Sequence, residues 1–273
     1  MGSTASKMEE ALTQTKSKPK QTRSVMQQKI KTAATTGLLA LPDHKLKKVP
    51  AELLAMAPKL RTLDLSKNRL KELPSEINTL TALKTLKVAG NSLTTLPDLS
   101  GLTALTTLVL DGNAIESIPL ALPPNLTKLS LKGNHLRELP ASVTRLAQLK
   151  ELDLSDNVLT MISDHVSALG DLVDLTLDQN ALRHLPAALA QCTKLKVLSA
   201  RGNKLVGSGP QAIASEILSV SAVHIMNLEG NSLTKFDLEA MDGFESFLER
   251  RTQSKNKEIY GGLNADVSLC GLD

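Results

Sequence analysis

The residues with the most definite chemistry stand first in the chain. Met1-Gly2-Ser3-Thr4-Ala5-Ser6-Lys7 fits the pattern in which removal of methionine exposes Gly2 to N-myristoylation, with a serine at position six. One myristoyl chain holds a protein on a bilayer only at about 10⁴ M⁻¹, so lasting residence requires a second signal. Lys16, Lys18, Lys20 and Arg23 could supply it, each adding up to about 1 kcal/mol of attraction to an anionic leaflet. Glu9 and Glu10 weaken that cluster. Ser17, Thr22 and Ser24 lie inside it, where phosphorylation would offset the positive charge by roughly −1.5 to −2 per site.

Catalytic chemistry is harder to find. Ser163-Asp164-His165 holds the residue types of a hydrolase triad, but consecutive residues cannot set a base on the nucleophile with an orienting carboxylate behind it. His44, His135, His165, His184 and His224 are scattered without paired spacing, and the two cysteines, Cys192 and Cys270, form no C-x-x-C. No metal site is expected. Cys270 stands fourth from the end, as in a prenylated tail, yet Gly271 and Asp273 match that signal poorly. No glycine-rich loop followed by Lys and Ser or Thr is present to cradle phosphates. The reading is a non-enzymatic protein without a cofactor.

The elements that position these residues follow from a repeat. Hydrophobic residues make up 41% of the 273, yet only three are Phe, one is Tyr and none is Trp. A core without rings must come from many copies of a small aliphatic unit. The frame Leu60-x-x-Leu63-x-Leu65-x-x-Asn68-x-Leu70-x-x-Leu73-Pro74 recurs with Asn91, Asn113, Asn134, Asn157, Asn180, Asn203 and Asn231 in the asparagine slot, and upstream with His44 there. The L-x-L pair alternates with period two and predicts a short strand turning both leucines inward. The slot asparagine, turned inward where the chain bends, can bond backbone groups left unpaired by a tight turn. One coil buries little alone, but stacked coils bury a continuous column.

This unit resembles the leucine-rich repeat. That resemblance implies an α/β solenoid, a curved horseshoe of about nine coils, closed by helical caps. The expected organisation is a disordered basic tail carrying the lipidation motif over residues 1–23, an N-terminal capping helix over 24–37, repeats over 38–236, a C-terminal capping helix over 237–251 and a flexible tail over 252–273. Phe236, Phe244 and Phe247 are expected to pack together in the second cap. On the convex side, 75–80 and 187–192 read as one or two helical turns, while proline excludes a helix from 121–125. Cys192 falls in such a segment and reads as a small buried apolar residue.

Both ends resemble the leucine-rich repeat-containing protein fifty-seven family. The similarity rests on Met1-Gly2, on Thr35-Thr36-Gly37 leading into the first coil, and on Met241-Asp242-Gly243-Phe244-x-x-Phe247-x-Glu249-Arg250 after the last. It implies a non-enzymatic, lipid-modified intracellular protein. A basic stretch of about 17 residues ahead of the cap departs from the pattern.

Charge and frame together nominate a partner surface. The seven basic and two acidic residues of 1–31 carry more than the whole excess of positive charge, leaving the rest of the chain at −1. A near-neutral solenoid poor in rings disfavours nucleic acid. Outward positions of the sheet in the sixth and seventh coils bring Glu151, Asp153, Asp156, Asp174 and Asp178 together, flanked by Lys132 and Arg201. They are the candidate site for a Lys/Arg-rich protein partner. The function expected is a monomeric cytoplasmic scaffold or adaptor, peripheral on the cytosolic face of a membrane. The alternative is a regulatory subunit of a phosphatase or ubiquitin ligase complex.

Overall fold

The computed structural model of the chain describes residues 19–57, 59–207, 212–260 and 270–272, with the side chains of 19–23 and 255–260 outside that set. Gly2, Lys16 and Lys18 therefore lie outside the described residues, as do the side chains of Lys20 and Arg23.

Nine strands of three residues each form one parallel sheet in sequence order: β1 (Leu38–Ala40), β2 (Thr62–Asp64), β3 (Thr85–Lys87), β4 (Thr107–Val109), β5 (Lys128–Ser130), β6 (Glu151–Asp153), β7 (Asp174–Thr176), β8 (Val197–Ser199) and β9 (Ile225–Asn227). The middle residues align in one register, from Leu39 opposite Leu63 to Leu198 opposite Met226, and all are buried. A second column, Leu41, Leu65, Val88, Leu110, Leu131, Leu154, Leu177, Ala200 and Leu228, is buried beside it. Truncating such a leucine to alanine typically costs about 2–5 kcal/mol.

The slot asparagines tie each coil to the one before it. Asn68 Nδ2 donates to the carbonyls of Leu65 and Leu41, both at 2.8 Å, while its Oδ1 accepts the N–H groups of His44 and Leu46 at 3.0 Å. Asn134 repeats the arrangement, donating to Leu131 and Leu110 and accepting from Ile115. His44, which replaces the asparagine in the first coil, donates instead from Nδ1 to the Pro42 carbonyl at 2.7 Å. The residue just before each slot takes a left-handed conformation. Glycine does so in five coils, whereas Asp43, Lys67, Asp156 and Gln179 do so at φ 52–56°.

The convex side is built from short pieces: 3₁₀ turns at Ser75–Thr79, Val143–Arg145, Asp164–Ala168 and Ala187–Gln191, and single α-turns α2 (Ala51–Leu54) and α3 (Ser215–Ser219). Ser163 Oγ accepts the backbone N–H of His165 at 3.3 Å and so caps one of these turns. Residues 121–125 form no helix. Cys192 is buried, its thiol pushed up to about 11 by that burial, and its Sγ–H donates to the Val166 carbonyl.

The N-terminal cap is longer than the 24–37 expected. Helix α1 runs Pro19–Thr36, because proline suits the first helical position and the following residues sustain a helix. Lys20 and Arg23 thus belong to the helix backbone and not to a tail. Ala33 is buried with Met26 and Ile30 packed on the same core, the 4–3 spacing of a helix face. Gly37 ends the helix at φ +72°, where a Cβ would meet the Lys59 carbonyl at 2.8 Å. The outward edge of β1 is covered: Leu38 N–H donates to Thr36 Oγ1 and Lys29 Nζ donates to the Ala40 carbonyl.

The C-terminal cap also departs from expectation. It is two helices, α4 (Lys235–Glu239) and α5 (Phe244–Tyr260), broken at Gly243, which has φ +87° and lies where a Cβ would come within 2.7 Å of Ser219 N. Phe247 is wholly buried, but Phe236 is 79% exposed and takes no part in the cap core. Its place on α4 follows from the Thr234 and Asp237 capping box, which turns residue 236 to solvent. Beyond α5, where a flexible tail was expected, Cys270 is buried and accepts the Leu228 N–H at 2.8 Å, the place that Asn227 holds against Ala200 in the coil before. Residues 270–272 thereby cover part of the edge of β9.

Candidate functional site

The concave face is set by strand register. Each strand turns its middle residue inward and its first and third outward, so Lys128, Glu151 and Asp174 stand side by side, with Ser130, Asp153 and Thr176 in the next row. These six line a shallow depression of about 210 Å³ on β5, β6 and β7. Asp178 lies one row further, in register with Ser155, and Asp156 one residue beyond that, joined to it through Asp156 N–H donating to the Asp178 carbonyl at 2.8 Å. The five carboxylates named from sequence are therefore neighbours.

They are not five equivalent free charges. Glu151 is ion-paired with Lys128, and Asp156 is 3.3 Å from Lys132 Nζ. Both lysines are raised above the ordinary range by those partners. Asp153 Oδ1 accepts the N–H of Ser155 at 2.9 Å and its hydroxyl at 2.5 Å. Asp178 Oδ1 accepts the Ser199 hydroxyl at 2.7 Å and the Arg201 N–H at 2.8 Å, and so serves the fold as well as the surface. Asp174 makes no ion pair among the described residues. Partial burial and then the Glu151 charge push its carboxyl upward, against a weaker bond from Thr176.

A sixth carboxylate was missed. Asp111 on the neighbouring coil accepts the Ser130 hydroxyl at 2.5 Å, and burial raises it more than that bond lowers it. Its signal was in the frame, since Asp111 occupies the register position of Ser155 and Asp178. Lys132 and Arg201, expected to bound the patch, are bonded into it. The cation at its centre, Lys128, was also missed.

The model of the leucine-rich repeat matches residues 39–115, 124–169 and 148–205, more than half of the chain. The chain belongs to the leucine-rich repeat family. Among curated proteins, this leucine-rich repeat protein is 43% identical over 63 residues to plant intracellular Ras-group-related LRR protein 7 of Oryza sativa, covering 23% of this chain and 24% of that one. It is 31% identical over 120 residues to protein 8 of the same group and organism, covering 44% and 27%. The chain thus spans about a quarter of the length of these relatives. Among solved structures, a leucine-rich repeat protein of Leptospira interrogans is similar at TM-score 0.61 and 29% identity, covering 78% of this chain and 58% of that one. Among the described residues, no helix is long and apolar enough to cross a membrane.

Proposed function

We propose that this leucine-rich repeat protein is a non-enzymatic scaffold whose concave face holds a Lys/Arg-rich segment of a protein partner. The observation that carries this reading is the depression on β5–β7, where Asp174 and Glu151 stand in register and Asp174 is left with an unfavourable charge environment. A half-buried carboxylate raised by burial and by its acidic neighbours is one that an arriving guanidinium or ammonium would favour in its charged form. Repeat proteins present such extended concave surfaces for binding. The protein acts as a monomer in the cytoplasm; the two rice relatives carry the word intracellular in their names.

The scaffold is further proposed to be held at a membrane through a myristoylated Gly2, with Lys16, Lys18, Lys20 and Arg23 as the second anchor. The resemblance of both ends to the leucine-rich repeat-containing protein fifty-seven family supports this part. Affinity capture from native extract tests both. The intact chain should retain a partner that a Glu151→Lys, Asp174→Lys chain loses, while Gly2→Ala should weaken membrane association and keep the partner. Retention of every captured protein by the charge-reversed chain would place the site elsewhere. An unmodified Gly2 by intact mass would remove the tether. Asp153 and Asp178 are unsuitable for reversal, because their carboxylates also hold backbone N–H groups.

A further inference from the structure

The near-neutral sum of the solenoid conceals a segregation of charge. In every coil, the positions one, three and four beyond the slot residue flank a buried or half-buried apolar side chain and stack on one rim of the horseshoe. Over the first eight coils, these positions carry Lys45, Lys47, Lys48, Arg69, Lys71, Arg137, Arg183 and Lys204 against three acidic residues, Glu72, Glu116 and Glu138. All eight cations are exposed, and none makes an ion pair among the described residues. Lys47, Lys48, Arg69 and Lys71, with Glu72 and Ser92, line one groove of about 580 Å³. Further along the same rim, Val158, Met161 and Val206 are exposed aliphatic side chains.

The helix before the first coil points its N-terminal end toward this rim. Helix α1 lies antiparallel to β1, since Thr36 bonds Leu38 whereas Lys29, seven residues earlier, reaches Ala40. The helix continues from Lys29 back to Pro19 for roughly 15 Å at 1.5 Å per residue. It therefore passes the end of β1 toward the side on which Pro42 to Lys48 turn away. The described helix thus begins, at Pro19, on the side of the basic rim.

We propose that this rim, centred on Lys47, Lys48, Arg69 and Lys71, is the face that the folded domain lays on the anionic headgroups of a membrane leaflet. Coils spaced about 4.8 Å apart spread the eight cations over roughly 35 Å, which suits a fluid array of phosphates and carboxylates. A nucleic acid would want stacking rings, and the rim has aliphatic side chains in their place. With the rim down, the concave face stays open to a protein partner. The inference rests on the tethering reading for the protein's presence at a membrane, but its contacts do not depend on the acyl chain.

The test is binding of the full, unacylated chain to phosphatidylcholine vesicles with and without 30 mol% phosphatidylserine, a composition typical in order of magnitude of an anionic leaflet. Lys47→Gln, Lys48→Gln, Arg69→Gln and Lys71→Gln together should lower partitioning onto the anionic vesicles by more than about tenfold, because each cation near the surface is worth up to about fivefold. A chain with the same loss of charge away from the rim, Lys59→Gln, Lys84→Gln, Lys87→Gln and Lys196→Gln, should stay within about twofold of the parent. Equal loss in both variants would reduce the effect to net charge and overturn the proposal. So would unchanged binding by the rim variant, or a parent chain retained by an acidic peptide or an oligonucleotide and not by the vesicles. Failure of the tether reads separately, as equal binding of acylated parent and Gly2→Ala to neutral vesicles.

Discussion

Asp156 is held in the left-handed region at φ 53° immediately before Asn157, and its carboxylate lies 3.3 Å from the ammonium of Lys132 on the preceding coil. Five other coils place glycine at this position. A side chain there costs about 1 kcal/mol, and the exposed ion pair returns little of it. Asp156→Gly should therefore leave stability unchanged or raise it by up to about 1 kcal/mol, read by urea denaturation, while weakening capture of a basic partner. A clear loss of stability would mean that the Lys132 pair carries structural weight.

Asp174 gives a pH-dependent signature. Burial, then repulsion from Glu151, raises its carboxyl above the ordinary 3.8, so the folded chain binds this proton more tightly than the unfolded chain. Stability is then lost as pH rises from 3.8 through the folded value, and the deficit persists at neutral pH. Asp174→Asn should stabilise at pH 7 by less than about 1 kcal/mol, because the group is only partly buried and solvent screens it. That gain should vanish below about pH 4, where both side chains are neutral. A variant less stable than the parent at pH 7 would contradict the assignment.

Arg250 holds the C-terminal cap. Its guanidinium donates to the carbonyls of Leu218 at 2.6 Å, Ser219 at 3.1 Å, Val223 at 3.2 Å and Ile217 at 3.3 Å, satisfying the end of α3. Arg250→Met keeps the aliphatic stem and orphans these acceptors. It should cost about 2–4 kcal/mol and speed amide exchange in α3 and α5 before the rest of the solenoid. A loss below about 0.5 kcal/mol would show that water replaces the guanidinium without penalty.

The repeat was legible because it is local. Leu63-x-Leu65 and Asn68 fix a strand, a turn and a column within about ten residues, and eight asparagines hold that frame. Outward positions of the sheet followed from the same count, so Glu151, Asp153 and Asp174 could be placed side by side. What could not be read was which partner each carboxylate meets across coils: Lys128 against Glu151, or Ser199 and Arg201 against Asp178, depends on side-chain direction and not on register. The ends were harder still. Phe236 shares helical spacing with Phe244, but the break at Gly243 separates their helices, and Cys270 reaches β9 from more than forty residues away in sequence. The basic rim escaped notice because summed charge hides position.

Photo-crosslinking from within the concave face tests the central claim most directly. A photoreactive residue replacing Thr176, which lines the β5–β7 depression, should capture a protein in cells through a Lys/Arg-rich segment identified by mass spectrometry. The same residue replacing Gln191, in a 3₁₀ turn on the convex side, should not. Capture of the partner from 191 with none from 176 would contradict the account and move the binding surface off the concave sheet.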